Sequence, residues 1–368
     1  MARNCGGLAG WAAAAVVAVV VSGQAGAQEW DAGGGPEWQT LLEAARAEGE
    51  VVVSACPGAT ETMARAFRDD TGIDISFITG SIRDLGSRWD TELRSGRVTT
   101  DVRLAGNTGL VYIDEGFLVP IRGELLLPSV TDETNWARGA LPWLDDAEEY
   151  LPYPAEYVAA WPLVNADLVD PATLTQWSDL LRPEFKGKIA AFDPTEAIGS
   201  ATSLYLAKLF GFDFVTQLYR GQEAVLSRDR RQLVEWVARG TYPIALGADA
   251  APDVEPFREA GFTGLTAVTM SDGPGNLVGG CSVTHLPVNA PHPNAARVFV
   301  NWYLSPRGQE AYVAGTHQPS NRLDVAPVGV PDYLVPRPDL TYYSSYRQTY
   351  VLEERPLLME EMRRVMAE

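Results

Sequence analysis

The sequence predicts an α/β protein of two lobes around a cleft, each lobe a mostly parallel sheet flanked by helices and the two joined by extended segments. Three observations predict this. Residues 50–67 form a β-turn-α unit: Val51, Val52 and Val53 are a buried-strand signal, 54–60 is a small-residue turn with Pro57 and Gly58, and Met63, Ala64 and Phe67 resume at helical spacing. Two further strand-turn-helix units follow at 73–94 and 102–116, and a second α/β series begins after Asn165. Strands alternating with helices imply parallel pairing, and in open α/β sheets the crevice beyond the carboxyl ends of the strands receives ligands.

Taken in order, residues 1–27 read as an export signal. Arg3 supplies a positive charge, Ala12 to Val21 is an apolar run too short to span a bilayer, which takes roughly 20 apolar residues, and Ala25-Gly26-Ala27 is a cleavage site, with the cut after Ala27. Cys5 precedes the apolar run and is not placed as a lipoprotein cysteine would be. The mature chain is therefore expected to be soluble and extracytoplasmic. The segment 37–49 sets Trp38, Leu41, Leu42 and Ala45 on one helical face and stops at Gly49. The run 73–79 is a second strand, followed by a helix to Arg94, and 102–105 is a third, leading to a helix near Gly116. Residues 120–154, rich in Pro and acids with Trp136 and Trp143, read as a solvated surface segment or as a lid lending an aromatic to the cleft.

The segment 157–164 is extended. Then come a short helix at 177–181, a strand at 188–192, helices at 200–210, 213–226 and 230–239, and a strand at 241–246. A strand-like stretch at 277–286 precedes helices at 294–304 and 305–314, the latter with Ser305 as N-cap and Pro306 at the first helical position. Residues 325–346 show no clear periodicity, and 352–366 is a charged terminal helix. The order assigns 28–118 with 265–310 to a first lobe and 119–264 with 311–368 to a second.

Composition excludes some functions. The chain has 368 residues, and loss of Arg3 with the signal leaves 28 basic against 48 acidic residues, a net charge of −20. Nucleic acid and anionic membrane surfaces would be repelled by that field. Cys56 and Cys281 remain; sequence leaves open whether they pair or stay as buried thiols. There is no C-x-x-C, and His285, His292 and His317 lack metal-ligand spacing, so neither metal nor cofactor is expected.

The strand-end turns supply the candidate ligand contacts. Ser54, Cys56, Gly58, Thr60, Gly80, Ser81, Asn107 and Thr108 form one wall; Asp193, Thr195, Gly199, Ser200 and Asp249 form the other. Hydroxyls and amides at helix starts, together with unpaired backbone N–H groups, suit anionic or hydrogen-bonding groups. Tyr157 or Trp161 would stack on an apolar portion, Arg83 and Arg88 would add an anion contact, and Asp249 would take an amine. Motifs of exported hydrolases such as G-x-S-x-G, S-x-x-K and H-E-x-x-H do not occur, and Cys56 with His285 is the one imaginable nucleophile and base.

Trp177-Ser178-Asp179-Leu180, followed by Pro183 to Ile189, then Asp193-Pro194 and Gly199, resembles the central signature of periplasmic solute-binding proteins of ABC importers. Ala290-Pro291-His292-Pro293 leading to Ser305-Pro306-Arg307-Gly308-Gln309 resembles the family's second signature, and the opening unit resembles its first strand. The resemblance covers roughly residues 37–325, is strongest to the cluster of ferric-iron, thiamine, phosphonate and sugar-phosphate binders, and leaves the tail beyond Val325 outside. It implies a type II periplasmic-binding fold that closes by hinge motion, with hinge strands near 157–165 and 277–286, a small-molecule ligand, an inner-membrane ABC permease as partner, a monomer and no enzyme activity. Ferric binders of this cluster carry adjacent tyrosines after the strand matching 241–246, where this chain has Ala248-Asp249; Tyr342-Tyr343 lies in the tail and reads as a packing element. An organic anion or zwitterion is the expected ligand. A ferric-iron carrier, a ligand-sensing partner of a membrane kinase and, less favoured, an exported hydrolase are the alternatives.

Overall fold

The computed structural model describes residues 30–368 apart from Pro57, Ser81, Ala160, 197–199, Asp249, Ala250 and Pro274. The expected signal segment 1–27 and the candidate residues Ser81, Gly199 and Asp249 lie outside the described residues.

The chain opens with α1 (Pro36–Glu48), β1 (Glu50–Ser54), α2 (Thr60–Thr71), β2 (Asp74–Ile78), α3 (Ile82–Ser95), β3 (Val102–Ala105) and α4 (Leu110–Asp114). Pro36 presets the first turn of α1, and Gly49, at φ 81°, ends it in the left-handed conformation that a side chain would disfavour. After α5 (Pro128–Thr131) come β4 (Tyr157–Ala159), β5 (Pro162–Asn165), β6 (Ile189–Phe192), α6 (Ala201–Thr216), β7 (Val225–Ser227), α7 (Arg230–Ala238), β8 (Ile244–Leu246), α8 (Ala251–Glu259) and β9 (Leu265–Ala267). The chain ends with β10 (Asn276–Val278), β11 (Val283–His285), α9 (Pro293–Leu304), α10 (Pro306–Thr316), β12 (Tyr343–Ser344) and α11 (Arg355–Ala367).

Three sheets result. The first has the order β11-β3-β1-β2, the second β7-β6-β8-β5-β9, and a small third sheet the order β12-β10-β4. β1 pairs in parallel with β2 and β3, while β11 is antiparallel to β3. In the second sheet β6 pairs in parallel with β7 and β8, but β5 runs antiparallel to both β8 and β9. Each lobe is thus a parallel sheet extended by antiparallel strands that enter from the other lobe, and the fold is the two-lobed α/β arrangement the alternating pattern predicts.

Side-chain alternation sets the two faces of the first sheet. Val51, Val53, Val102 and Leu104 point into a core with Trp38, Phe67, Phe299 and Trp302. Val283 and Tyr112 lie instead in a second cluster with Trp89, beneath α3. α2 packs closely on α10: a Cβ at Gly315 would lie 2.5 Å from Ala59 Cα, and Thr62 Oγ1 donates to the Ala311 carbonyl at 3.0 Å. The wholly buried Asp101 ties the layers, its carboxylate accepting from Val52 N at 2.7 Å, His292 N at 2.6 Å and His292 Nδ1 at 2.8 Å. His292 is therefore a structural link at the start of α9.

Several expectations are revised. Residues 120–154 are solvated only in part: Asp146, Glu148 and Glu149 are exposed, while Ile121, Leu127, Val130, Trp136, Leu141 and Trp143 are buried in the first sheet's core, so neither tryptophan is free to serve a lid. These apolar residues pack with the first sheet, and α10 packs on α2. The helix expected through 226 ends earlier, kinked at Gly211, and the chain turns into β7. The stretch 277–286 is two strands in different sheets. α8, β9 and β12, for which the sequence reading assigns no element, complete the second and third sheets.

Cys56 and Cys281 form a disulfide between the turn after β1 and the turn joining β10 to β11. Bridging residues 225 apart, it restricts the unfolded chain strongly. Reducing the protein, or replacing Cys281 by Ser, should lower unfolding stability by about 2–5 kcal/mol in urea titrations; an unchanged midpoint would rule out that contribution. His285, fully buried, places Nε2 2.8 Å from the Thr108 carbonyl, and burial and then the Arg103 charge push its pKa down to about 4. A neutral native imidazole means the unfolded state binds the proton first. Stability should therefore fall as pH drops below about 6.5, losing about 2 kcal/mol by pH 5. Comparing His285→Gln with the parent in urea melts at pH 7 and pH 5 isolates this loss, and equal pH dependence in both would refute it.

Candidate ligand cleft

The strand-end turns of the two large sheets form the two candidate walls. On the first, the turns after β1, β2 and β3 lead into α2, α3 and α4; on the second, the turns after β6 and β8 lead into α6 and α8. The walls meet where Arg83, in the first turn of α3, places Nη2 2.8 Å from Glu196 Oε2 in the turn after β6. Arg228 continues the chain of charge, with Nε 3.0 Å from Asp193 Oδ2 and Nη2 3.1 Å from Glu196 Oε1. Arg88, the other candidate cation, turns away to Glu92 at 2.7 Å and Thr99 at 3.1 Å.

Hydrogen bonding sorts the sequence-predicted residues. Cys56 has given its sulfur to the disulfide, so it offers no thiol to a ligand. Asn107 donates from Nδ2 to the Ser345 carbonyl at 2.7 Å, an interaction with the tail that a sequence reading ending at Val325 misses. Trp161 is buried and donates from Nε1 to the Tyr333 carbonyl at 3.2 Å, which leaves no exposed face for stacking. Tyr157 is likewise buried, among Tyr153, Leu151 and Tyr346. Ser200 donates to Met359 Sδ at 3.4 Å and so faces α11.

Asp193 and Thr195 satisfy each other. Asp193 Oδ1 accepts from Thr195 N at 3.0 Å and Thr195 Oγ1 at 2.7 Å. Burial pushes the Asp193 carboxyl up, but these bonds and the Arg228 guanidinium outweigh it and hold the pKa below the ordinary value. The acid is a charged turn-former. Gly58 is exposed with φ 134°, and Thr60 and Gly80 are half-buried at the helix starts. Ser54 is buried at the end of β1, and no described residue hydrogen-bonds its Oγ. Thr108 Oγ1 is also buried without a partner.

One charged group of the first sheet is absent from the sequence-predicted set. Arg103, in the middle of β3, is 4% exposed, and its guanidinium carbon sits 5.7 Å from the centre of the Trp89 ring. Its strand partners are Ser54 on β1 and His285 on β11. The signal was visible: a single arginine inside the apolar strand Val102-Arg103-Leu104-Ala105. Among the described residues, no group of three or more His, Cys, Asp or Glu side chains could hold a metal ion. Tyr342 and Tyr343 pack against the second core, Tyr343 against the rings of Tyr205 and Tyr350.

Solved structures share this architecture. AfuA of Actinobacillus pleuropneumoniae, with fructose-6-phosphate bound, is 18% identical and superposes with a TM-score of 0.66, covering 85% of this chain and 97% of its own. Iron-bound HitA from Pseudomonas aeruginosa is 18% identical with a TM-score of 0.62 over 85% of this chain and 99% of its own. The GacH receptor of Streptomyces glaucescens, described unliganded and with acarbose, is 14% identical with a TM-score of 0.64 over 87% and 93%. These likenesses establish the type II periplasmic-binding fold. No curated protein matches the sequence. Residues 62–333 match the family profile of bacterial extracellular solute-binding proteins, a span that begins just after the β1 turn and ends before β12 and α11. The chain belongs to the bacterial extracellular solute-binding proteins, the solute-capturing components of ABC importers.

Proposed function

We propose that this protein captures a small organic anion or zwitterion between its lobes and delivers it to an ABC permease, working as a periplasmic monomer after cleavage behind Ala27. The observation that carries the reading is the contact of Arg83 with Glu196, which brings the start of α3 on the first wall against the turn after β6 on the second. Helix-start amides and short polar side chains line the walls on both sides, and such groups suit anionic or hydrogen-bonding portions of a solute. The packing supports a first lobe of 30–156 with 279–333 and a second of 161–275 with α11, hinged at β4 and β10, the tail from 334 to 354 touching both.

Closure is steered, not locked, by the Arg83 pair. Arg83 is 65% exposed, and a surface ion pair contributes little to stability. The ligand itself must supply most of the closing energy. An iron carrier is the second reading, and its test belongs in the same experiment. Thermal melts of the secreted protein with phosphonates, sugar phosphates, organic acids, amines, thiamine and Fe(III) should show stabilisation by an anionic or zwitterionic organic solute, amounting to about 2.7 kcal/mol at a hundredfold excess over Kd. Stabilisation by Fe(III) alone, with a tyrosinate charge-transfer band, would replace this reading with iron carriage.

A further inference from the structure

We propose that Arg103 is the anchor for the anionic group of the solute, a carboxylate, phosphate or phosphonate that enters beneath the first turn of α3. The inference rests on the reading that the cleft binds an organic anion, and it assigns the charge that holds that anion.

Register and alternation place the side chain. Val102 and Leu104 point into the core on the α1 and α9 side of the sheet, so Arg103 points the other way, toward α3. Ser54 is its in-register neighbour on β1 and His285 its partner on β11, which makes a polar row across the sheet beneath that helix. The guanidinium lies over Trp89, and its Nη2 is 3.7 Å from the point where a Cβ at Gly86 would stand. Gly86 lies nearer the start of α3 than Trp89, so the guanidinium is directed toward the strand-end side of the lobe, where the cleft is.

The charge is buried and unanswered. Among the described residues no carboxylate pairs with Arg103 and no acceptor takes a hydrogen bond from its guanidinium. Asp90, which accepts from the nearby Tyr112 hydroxyl at 3.3 Å, is committed to Arg94 at 2.8 Å. The other deeply buried arginine shows what a structural role requires: Arg322, with its side chain fully enclosed, meets both oxygens of Asp324 at 2.8 Å and the carbonyls of Ser129 and Leu304 at 2.9 and 3.0 Å. Near Arg103, Trp89 Nε1 and Thr108 Oγ1 are enclosed without partners, and Ser54 is the in-register neighbour, while His285 on the other side is already bonded to the Thr108 carbonyl. Burial also pushes the guanidinium pKa down, the direction expected of a cation lacking a counter-ion. A planar fork with hydrogen-bond donors near it is suited to a carboxylate or phosphoryl group, and an uncompensated buried charge is a poor stabiliser of the fold.

The test compares the full secreted protein with Arg103→Met, which keeps the stem over Trp89, and with Arg103→Lys. Titration calorimetry uses probes matched except for charge: fructose 6-phosphate and fructose, 2-aminoethylphosphonate and ethanolamine, citrate and glycerol, and inorganic phosphate alone. The parent should bind at least one anionic probe and not its uncharged or cationic match. Arg103→Met should weaken that probe at least 100-fold while its ligand-free melting temperature holds or rises, and Arg103→Lys should fall between the two. Should Arg103→Met fail to fold, a loss of at least tenfold in Arg103→Lys carries the test. Equal binding of the anion by parent and variants overturns the anchor, as does a parent that binds no anionic probe. If fructose, ethanolamine or glycerol then binds parent and Arg103→Met alike, solute capture stands and the anchor alone fails.

Discussion

The antiparallel pairing of β4 with β10 is the constraint on which the arrangement depends. Asn276, Leu277 and Val278 face Ala159, Val158 and Tyr157, so the two segments that carry the chain between the large sheets run side by side. β4 leads into β5 of the second sheet and β10 leads back to β11 of the first. A short shared ladder of this kind holds the strand-end turns of both lobes toward one gap while leaving few residues to resist bending. Strand β12 adds a third crossing in parallel to β10, and beyond it α11 buries Met359, Met362 and Val365 in the second core. Tyr346 anchors the same tail, donating from its hydroxyl to the Gly280 carbonyl at 2.6 Å. The tail thus touches the β4–β10 ladder through β12, the β3–α4 turn at Asn107 and α6 at Lys208, whose Nζ is 3.0 Å from Glu354.

Local signals made most of the fold legible. Consecutive valines, helical spacing and Gly stops are short-range features, and β1, α1, α3, β3, α9 and α10 all stand within a few residues of where those features place them. What escaped was set by distance along the chain. Trp136 and Trp143 sit among prolines and acids that read as surface, and only the tertiary fold shows that they enter a core with Trp38 and Phe299. The apolar stretch 277–286 has no local mark dividing a hinge strand from a strand of the first sheet. The three-residue β9 and the two-residue β12 are too short for periodicity to register.

The strand-end turns that make up the candidate site were legible in the sequence, and the bonding of their side chains was not, for a related reason. Position at a strand end can be read from sequence, but whether a polar side chain is already satisfied cannot. Asn107, Trp161, Ser200, Asp193 and Cys56 all sit at or near the walls, yet each bonds to a partner: Ser345, Tyr333, Met359, Thr195 and Cys281. Among the described candidates the hydroxyls of Ser54, Thr60 and Thr108 remain, and none has the chemistry to hold a charged solute alone.

This distribution bears on selectivity. A chain with 48 acidic and 29 basic residues repels anions at long range, so encounter with an anionic solute is not steered by the net field. Discrimination then falls to short-range, desolvated contacts, where an interaction is stronger because water is excluded. Surface arginines such as Arg83 and Arg228 are engaged with Glu196 and Asp193 and bring little net positive charge. A buried cation beside unmet donors answers both conditions: it is invisible to the outer field and strongly felt within a few ångströms. Any anion must first shed its water to reach such a charge, so the energy of dehydration weighs against strongly hydrated anions and toward those that the short-range contacts repay.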